Sequence, residues 1–375
     1  EDLNQPGRYD WVRARMDVEN FRDYYITQSF HMNYDQPGKN FKMWRSQTVD
    51  PSNPRADGRW RWLLYDLDLT FGLDPTCSYQ RNALIWNTGL TNIASTTVIG
   101  PTPPPDWAVN SPERTLMLRK LLLNQEFRQD FVVRFADLLN TVFTTAYMQA
   151  RLSEFKAEVE PYMPEHIARW RLPATMTAWQ GSITGMEVYA QQRPGYMWDH
   201  LRTYFNLSNR QTLALNLGTA GAGKFKVNTV TIGPGEPGVE GTAFPWSGSY
   251  FPEFPVQVTA LPENGFLFSH WTGDVPAGSE TSPSLSLSMT AGRSLTAHFV
   301  PGPRRVLRDY WSFNHSDALL LPDVFSGNAS ISIDPGASSA FLASTGQNFS
   351  GLNAQLGEEA GTHLRVNSPI GTSRS

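Results

Sequence analysis

Two hydrophobic rhythms divide this chain. Up to about residue 208, apolar positions recur every three or four residues, as on helices with one buried face. Beyond Asn209 they alternate, as on half-buried strands. In the first stretch Asp17 predicts a helix start, with Val18, Phe21 and Tyr25 on one face. Ser111-Pro112-Glu113 predicts another, with a capping serine, a proline in the first turn and an acid near the positive end. Leu118, Leu121 and Leu122, then Phe127, Phe131, Phe135, Leu138 and Leu139, continue at helical spacing as a core stripe. An apolar run over 60–65 predicts a strand that ends at Asp66 and Asp68, and strand alternation places those two carboxylates on one face. The long polar segment 76–105, closing on Pro103-Pro104-Pro105, reads as an excursion beside them that faces a substrate.

In the second stretch the predicted strands are 213–217, 226–232, 256–260, 285–289 and 295–299, punctuated by Gly and Pro. Pro301-Gly302-Pro303 reads as a linker. The text from Tyr310 to Val366 reads as the first strands of a further β domain, too few to close a sandwich by Ser375. The expected organisation is therefore multidomain. An α+β part, mostly helical around a small sheet, occupies 1–208. An all-β module occupies 209–301, and a partial β domain or tail 302–375.

Composition narrows the partners. Net charge is −4 and charged residues make up 18% of the 375, so no broad basic surface argues for nucleic acid. No apolar run reaches membrane-spanning length, so no transmembrane segment is expected. The single cysteine, Cys77, leaves no intramolecular disulfide, and the core must stabilise the fold. That fits the cytoplasm or a bacterial exterior where disulfides are not used.

The chemistry concentrates in two places. Asp35 and Asn40 stand five positions apart around Pro37-Gly38, and Asp66 and Asp68 lead into Phe71-Gly72. Alone, the first pair reads as turn chemistry, since Asp and Asn bond their own backbone. The second pair places two like charges together, which repel unless a cation or base lies between them. Together they follow the order in which protein kinases present a loop Asp and Asn and then an Asp-Phe-Gly element. Phosphoryl transfer needs such a set, because one carboxylate orients the attacking hydroxyl while the others hold a divalent metal. His31 has no second His or Cys at metal-site spacing and reads as a packing residue. Gly218 to Lys224 matches most of a phosphate-binding loop. However, Phe225 replaces the metal-holding hydroxyl and a strand follows, so it reads as a hairpin turn.

With Asp17-Val18-Glu19-Asn20-Phe21, Asn33-Tyr34-Asp35, Asn40, Gly58-Arg59-Trp60-Arg61-Trp62 and Asp66-Leu67-Asp68-Leu69-Thr70-Phe71-Gly72, the chain resembles the CotH (spore-coat) kinase family. Leu121 to Arg128 and His166 to Trp170 extend the resemblance, which covers about residues 10–208. It implies an atypical kinase fold that transfers the γ-phosphoryl group of ATP to protein Ser or Thr, with Mg or another divalent metal. Carried over, Asp35 is the catalytic Asp, Asn40 and Asp66 hold nucleotide and metal, and Asp68 is a further metal ligand. The family's N-terminal lobe, with its phosphate-holding lysine, is expected to precede Glu1. The chain alone is then expected to bind ATP weakly and to transfer phosphate poorly. Lys39 and Lys42 lie near the motif, with nothing in the sequence marking either as a replacement for that lysine.

Phe254 to Ala260, Glu263 to Phe268, Trp271-Thr272-Gly273 and Thr296 to Phe299 resemble the divergent internalin-type B repeat over most of 212–300. That resemblance implies a secreted or cell-surface bacterial protein, whose β modules could meet a surface glycan or protein. Two other readings stay open at this point. One is a surface or adhesion protein with a silent kinase-like domain. The other is a kinase acting on a small-molecule or glycan hydroxyl.

Overall fold

The computed structural model describes residues 2–73, 75–96 and 111–302, together with two short strands at 330–333 and 364–367. Residues 1–302 form one compact unit and 303–375 a second. The first unit runs from helices around a two-stranded sheet into two four-stranded sheets, so the expected order of an α+β part followed by an all-β module holds.

The chain opens with α1 (Arg8–Arg13) and α2 (Val18–His31). The Asp17 carboxylate caps α2 by accepting from the Asn20 N–H at 3.0 Å, as its place before the apolar face predicts. The helix buries Phe21, Tyr24, Tyr25, Ile26 and Phe30. β1 (Lys42–Trp44) and β2 (Arg61–Leu63) pair antiparallel, with Met43 opposite Trp62. The Asn20 side chain fixes β2 against α2. Its Oδ1 accepts from the Trp62 N–H at 2.6 Å and its amide donates to the Trp62 carbonyl at 3.3 Å. Phe21 then meets the Trp62 ring edge-on at 4.7 Å. The strand expected over 60–65 is shorter than its apolar run, because the backbone turns before Asp66.

Next come α3 (Ala83–Thr88), α4 (Leu116–Leu123) and α5 (Gln125–Leu139). Ser111 does not start α4. Its carbonyl instead closes a turn by accepting from the N–H of Thr115 at 3.1 Å, and the helix begins at Leu116. The apolar stripe predicted as continuous breaks at Asn124. This residue adopts an extended ψ of 131° and caps α5 through the Phe127 N–H at 3.0 Å. The excursion expected over 76–105 contains α3, and 97–110 lie outside the described residues. α6 (Thr145–Val159), α7 (Met163–Trp170) and α8 (Met176–Phe205) complete the helical part.

Arg193 of α8 is fully buried, and among the described residues no carboxylate pairs with it. Its guanidinium donates to the carbonyls of Phe30 (2.8 Å), Ser29 (2.6 Å), Tyr79 (2.7 Å) and Arg81 (2.8 Å). The first two carbonyls lie in the last turn of α2, where the helix dipole presents partial negative charge. Tyr189, one turn earlier on α8, donates its hydroxyl to the same Phe30 carbonyl at 2.7 Å.

The β module comprises β3 (Gln211–Leu217), β4 (Gly223–Val227), β5 (Val230–Ile232), β6 (Trp246–Tyr250), β7 (Val256–Pro262), β8 (Phe266–Gly273), β9 (Ser284–Leu287) and β10 (Arg293–Pro301). The sheets are ordered β6-β3-β10-β8 and β5-β4-β7-β9. Phe225 of one sheet stacks on Trp271 of the other at 5.7 Å, so the inner faces share a core. The single strand expected over 226–232 is a hairpin, β4 to β5, turning at Asn228 with φ 43°. The Gly218-to-Lys224 segment is not a hairpin turn, because β3 and β4 lie in different sheets and the chain crosses between them. β6 and β8 were not among the predicted strands. In the second unit β11 (Ser330–Ile333) pairs antiparallel with β12 (Leu364–Asn367). The rest of the text read as a further β domain lies outside the described residues.

Asp137 of α5 joins the helical part to the strands. Its buried carboxylate accepts from Asn228 Nδ2 (2.9 Å), the Tyr250 hydroxyl (3.0 Å), the Thr229 N–H (3.0 Å) and the Thr229 hydroxyl (2.6 Å). Burial raises its pKa, and these four donors oppose the rise. Beside it, Asn140 exchanges hydrogen bonds with the backbone of Ser249 at 2.8 and 2.9 Å.

Two stability tests follow from these buried groups. Arg193→Met takes a donor from each of four buried carbonyls, of which Phe30 keeps Tyr189 and Ser29 keeps the Met32 N–H, and is expected to cost about 2–5 kcal/mol, with Arg193→Lys recovering only part, since an ammonium cannot span the fork. Chemical denaturation that puts either variant within about 0.5 kcal/mol of wild type would refute this role. Asp137→Asn turns an amide N–H₂ toward two of the four donors and is expected to cost about 1–3 kcal/mol. Hydrogen exchange should show faster opening at Asn228 and Thr229, and unchanged protection there would show that the lock is dispensable.

Candidate functional site

The loop after α2 is built from its own side chains. Met32 ends the helix in the left-handed region (φ 50°), and the Asp35 N–H donates to Asn33 Oδ1 at 3.0 Å. The Lys39 N–H donates to the Asp35 carbonyl at 2.7 Å, and Gln36 Nε2 donates to the carbonyls of Lys39 (2.9 Å) and Asn40 (3.4 Å). These bonds fold the five-residue spacing back on itself. Asn40, left-handed at φ 52°, donates its amide to Asp35 Oδ2 at 3.1 Å. The other oxygen, Asp35 Oδ1, is buried without a hydrogen bond, and the Lys39 ammonium stands 3.4 Å from it. The turn chemistry expected of this pair is present, and it leaves one carboxylate oxygen uncommitted.

Two backbone hydrogen bonds register the 66–72 segment against that loop. The Tyr34 N–H donates to the Leu69 carbonyl at 3.3 Å, and the Phe71 N–H to the His31 carbonyl at 3.0 Å. Asp66 and Phe71 both adopt φ 54°, a left-handed geometry that costs energy for side chains of this kind. The strand argument for Asp66 and Asp68 fails here, because Asp66 is not in a strand. The two carboxylates come together through its left-handed turn. Phe71 packs on Tyr189 at 4.5 Å, and Gly72, at φ 80°, passes so close that a Cβ would stand 3.1 Å from Tyr189. His31 packs between Phe30, Phe71 and Phe143 and bonds the Thr27 carbonyl through Nδ1, as a packing histidine would.

The electrostatics tie the two segments together. The Asp66 carboxyl is held above its ordinary pKa, chiefly by a hydrogen bond with Asp68. Desolvation and the charges of Asp68 and Asp35 add to the rise, and Lys42 opposes it. Lys42 itself lies over the Tyr65 ring at 4.3 Å. The structure therefore joins Asp35 to Asn40 directly and Asp66 to Asp68 directly, with Asp35 acting on Asp66 through charge. Among the described residues no three His, Cys, Asp or Glu side chains converge as a ready metal cage.

Sequence reasoning placed Lys39 and Lys42 near the motif without giving either a role; the structure sets the Lys39 ammonium 3.4 Å from Asp35 and brings the charge of Lys42 to bear on Asp66. That reasoning passed over Arg193 and Tyr189. A signal for Arg193 was available, since it interrupts the buried face formed by Ala190, Met197 and Leu201 with the only charge on it.

Comparison with known proteins gives two matches. A family model described as CotH kinase protein matches residues 2–197, just over half of the chain, and a model of the divergent InlB B-repeat domain matches residues 228–303. None of the curated proteins or solved structures compared matches the chain.

If Asp68 is the main cause of the Asp66 shift, Asp68→Asn should lower the Asp66 titration midpoint toward the ordinary carboxylate range. Carboxyl-carbon NMR against pH reads this directly. A midpoint that stays raised would assign the shift to burial or to Asp35 instead.

Proposed function

The chain belongs to the CotH kinase protein family, and from that premise we propose that it carries the acceptor-activating and metal-holding half of a phosphotransferase site. The donor would be ATP, and the acceptor a Ser or Thr hydroxyl of a protein. The observation that supports this best is the Asp35 carboxylate. One oxygen is fixed by Asn40 and the other is buried, free of hydrogen bonds and turned toward an ammonium. A carboxylate fixed in this way can accept a proton from a hydroxyl without first rearranging its own bonds.

Asp35 would orient the acceptor hydroxyl and take its proton as the new O–P bond forms. The Asn40 hydrogen bond keeps the carboxylate from rotating, and Gln36 keeps Asn40 and Lys39 in place. Lys39 offsets the negative charge that gathers when a phosphate approaches Asp35. The donor set also fits a divalent metal. All the candidate atoms are oxygens, which suit a hard cation such as Mg, and Asp66 and Asp68 repel each other without one. Asp66, Asp68 and the Asn40 side chain would hold it. Bound there, the metal would neutralise the phosphates of the nucleotide.

The domain division at about residue 209 is part of this proposal, with the helical part as the kinase-like domain. The B-repeat match supports a secreted or cell-surface setting for the module that follows. Among the described residues, no helix is long and apolar enough to cross a membrane.

The test separates binding from transfer in the full-length protein. Asp66→Asn is expected to abolish Mg-dependent ATP binding by calorimetry while leaving the fold intact, because it also relieves the repulsion with Asp68. Asp35→Asn is expected to keep ATP affinity within a few-fold while transfer falls by about 10²–10⁴. Unchanged ATP affinity in Asp66→Asn, or unchanged transfer in Asp35→Asn, would overturn the assignment of that residue.

A further inference from the structure

A cavity of about 580 Å³ opens beside the acidic segment, within the size range of ligand pockets, roughly 300–1,000 Å³. Leu67, Asp68 and Phe71 form one wall, and Gly181, Gly185 and Met186 of α8 form the other. Because Asp68 belongs to it, the cavity is continuous with the site described above.

Charge decides which substrate it suits. None of the described residues lining it is Lys, Arg or His, and its one ionisable group is the Asp68 carboxylate. A nucleotide triphosphate carries several negative charges and, apart from a metal held at the Asp68 edge, would find no cation among the described side chains along these walls. A neutral or basic group would enter without that penalty. Polarity narrows it further. The Thr70 hydroxyl is already committed to the Leu67 carbonyl at 2.6 Å, and the Ser182 hydroxyl to the Ala178 carbonyl at 3.3 Å. Beside the acceptors left on these hydroxyls and on Asp68, the side chains of Leu67, Phe71, Leu73 and Met186 give the cavity a mainly apolar lining. An apolar peptide side chain can cover these four residues, whereas a sugar would have to desolvate its hydroxyls against them.

The two glycines are a separate observation. Gly181 and Gly185 lie four apart in the interior of a helix, where glycine is among the least favourable residues. A Cβ at either would meet nothing within 4 Å, so packing within the fold does not demand glycine. Their effect is to keep the cavity wall low, which lets another backbone approach the helix closely.

We infer that this cavity seats the protein acceptor as an extended segment, with an apolar side chain beside its hydroxyl residue and no acidic one. This rests on the phosphotransfer reading and specifies where the acceptor lies and what it must carry.

The test uses Gly181→Leu and Gly185→Leu in the full-length protein. Both changes put a side chain into open space and raise helix propensity, so melting temperatures should hold or rise. The probes are Mg–ATP by calorimetry and labelled-phosphate transfer to three acceptors: a serine peptide flanked by leucines, the same peptide flanked by glutamates, and a free hexose. Wild type is expected to favour the leucine-flanked peptide about tenfold or more over the other two. Each variant should raise KM for that peptide about tenfold or more, with Mg–ATP affinity held within about twofold. An unchanged peptide KM in both variants would overturn the inference. So would an equal loss of Mg–ATP affinity, which would make the cavity the donor's, or a preference for the hexose. Failure of wild type to bind Mg–ATP would instead remove the phosphotransfer reading itself.

Discussion

The geometry of the helical part depends on one buried cation that finds no anion among the described residues. Arg193 replaces water at the end of α2 with four carbonyl contacts, two from the helix that delivers the Asp35 loop and two from the chain after Phe71-Gly72. A carboxylate partner would have neutralised the charge at a single point. Carbonyls share it between two stretches of backbone and so hold both against α8 at once. The loop is positioned because the helix before it cannot fray, and the 66–72 segment because its exit is gripped by the same side chain. The Phe30 carbonyl, shared by Arg193 and Tyr189, is where these restraints meet.

Around that anchor the site stores unfavourable choices. Asn40, Asp66 and Phe71 all adopt left-handed backbones, and Phe71 is a residue type that rarely does so. Asp66 faces Asp68 with Asp35 in electrostatic range, and the opposing cations, Lys39 and Lys42, come from the loop and the strand beside it. Strain and like charge in one small region persist only where the surroundings over-determine them. The buried bonds of Arg193, Tyr189 and Gln36 supply that determination.

Much of this was legible in the residues, for identifiable reasons. The Asp17 cap and the α2 face follow from local spacing, and local spacing is what sequence displays. Most strands of the β module announced themselves by alternation, while β6 and β8 did not. Other features depended on distant partners and were read less well. The start of α4 moved because Thr115 and Ser111 prefer each other to helix capping. The long apolar stripe split because Asn124 serves as a cap within it. The pairing of Asp66 with Asp68 was anticipated for the wrong reason, since a left-handed residue performs what strand alternation was expected to do. The hairpin at Asn228 was read as one strand because its turn is only two residues long and its tip is held by Asp137, more than 90 positions earlier in the chain.

That last contact changes what the β module can be mechanically. A module tethered by a flexible linker searches a volume and presents whatever it binds at every angle. Here the tip of its hairpin is seated in a buried pocket of α5, and Asn140 grips a second strand nearby. The junction behaves as a weld. A partner caught on the strands would be offered to the acidic loop at one fixed distance and bearing, and a pull applied to the strands would load α5 directly, with no slack to absorb it.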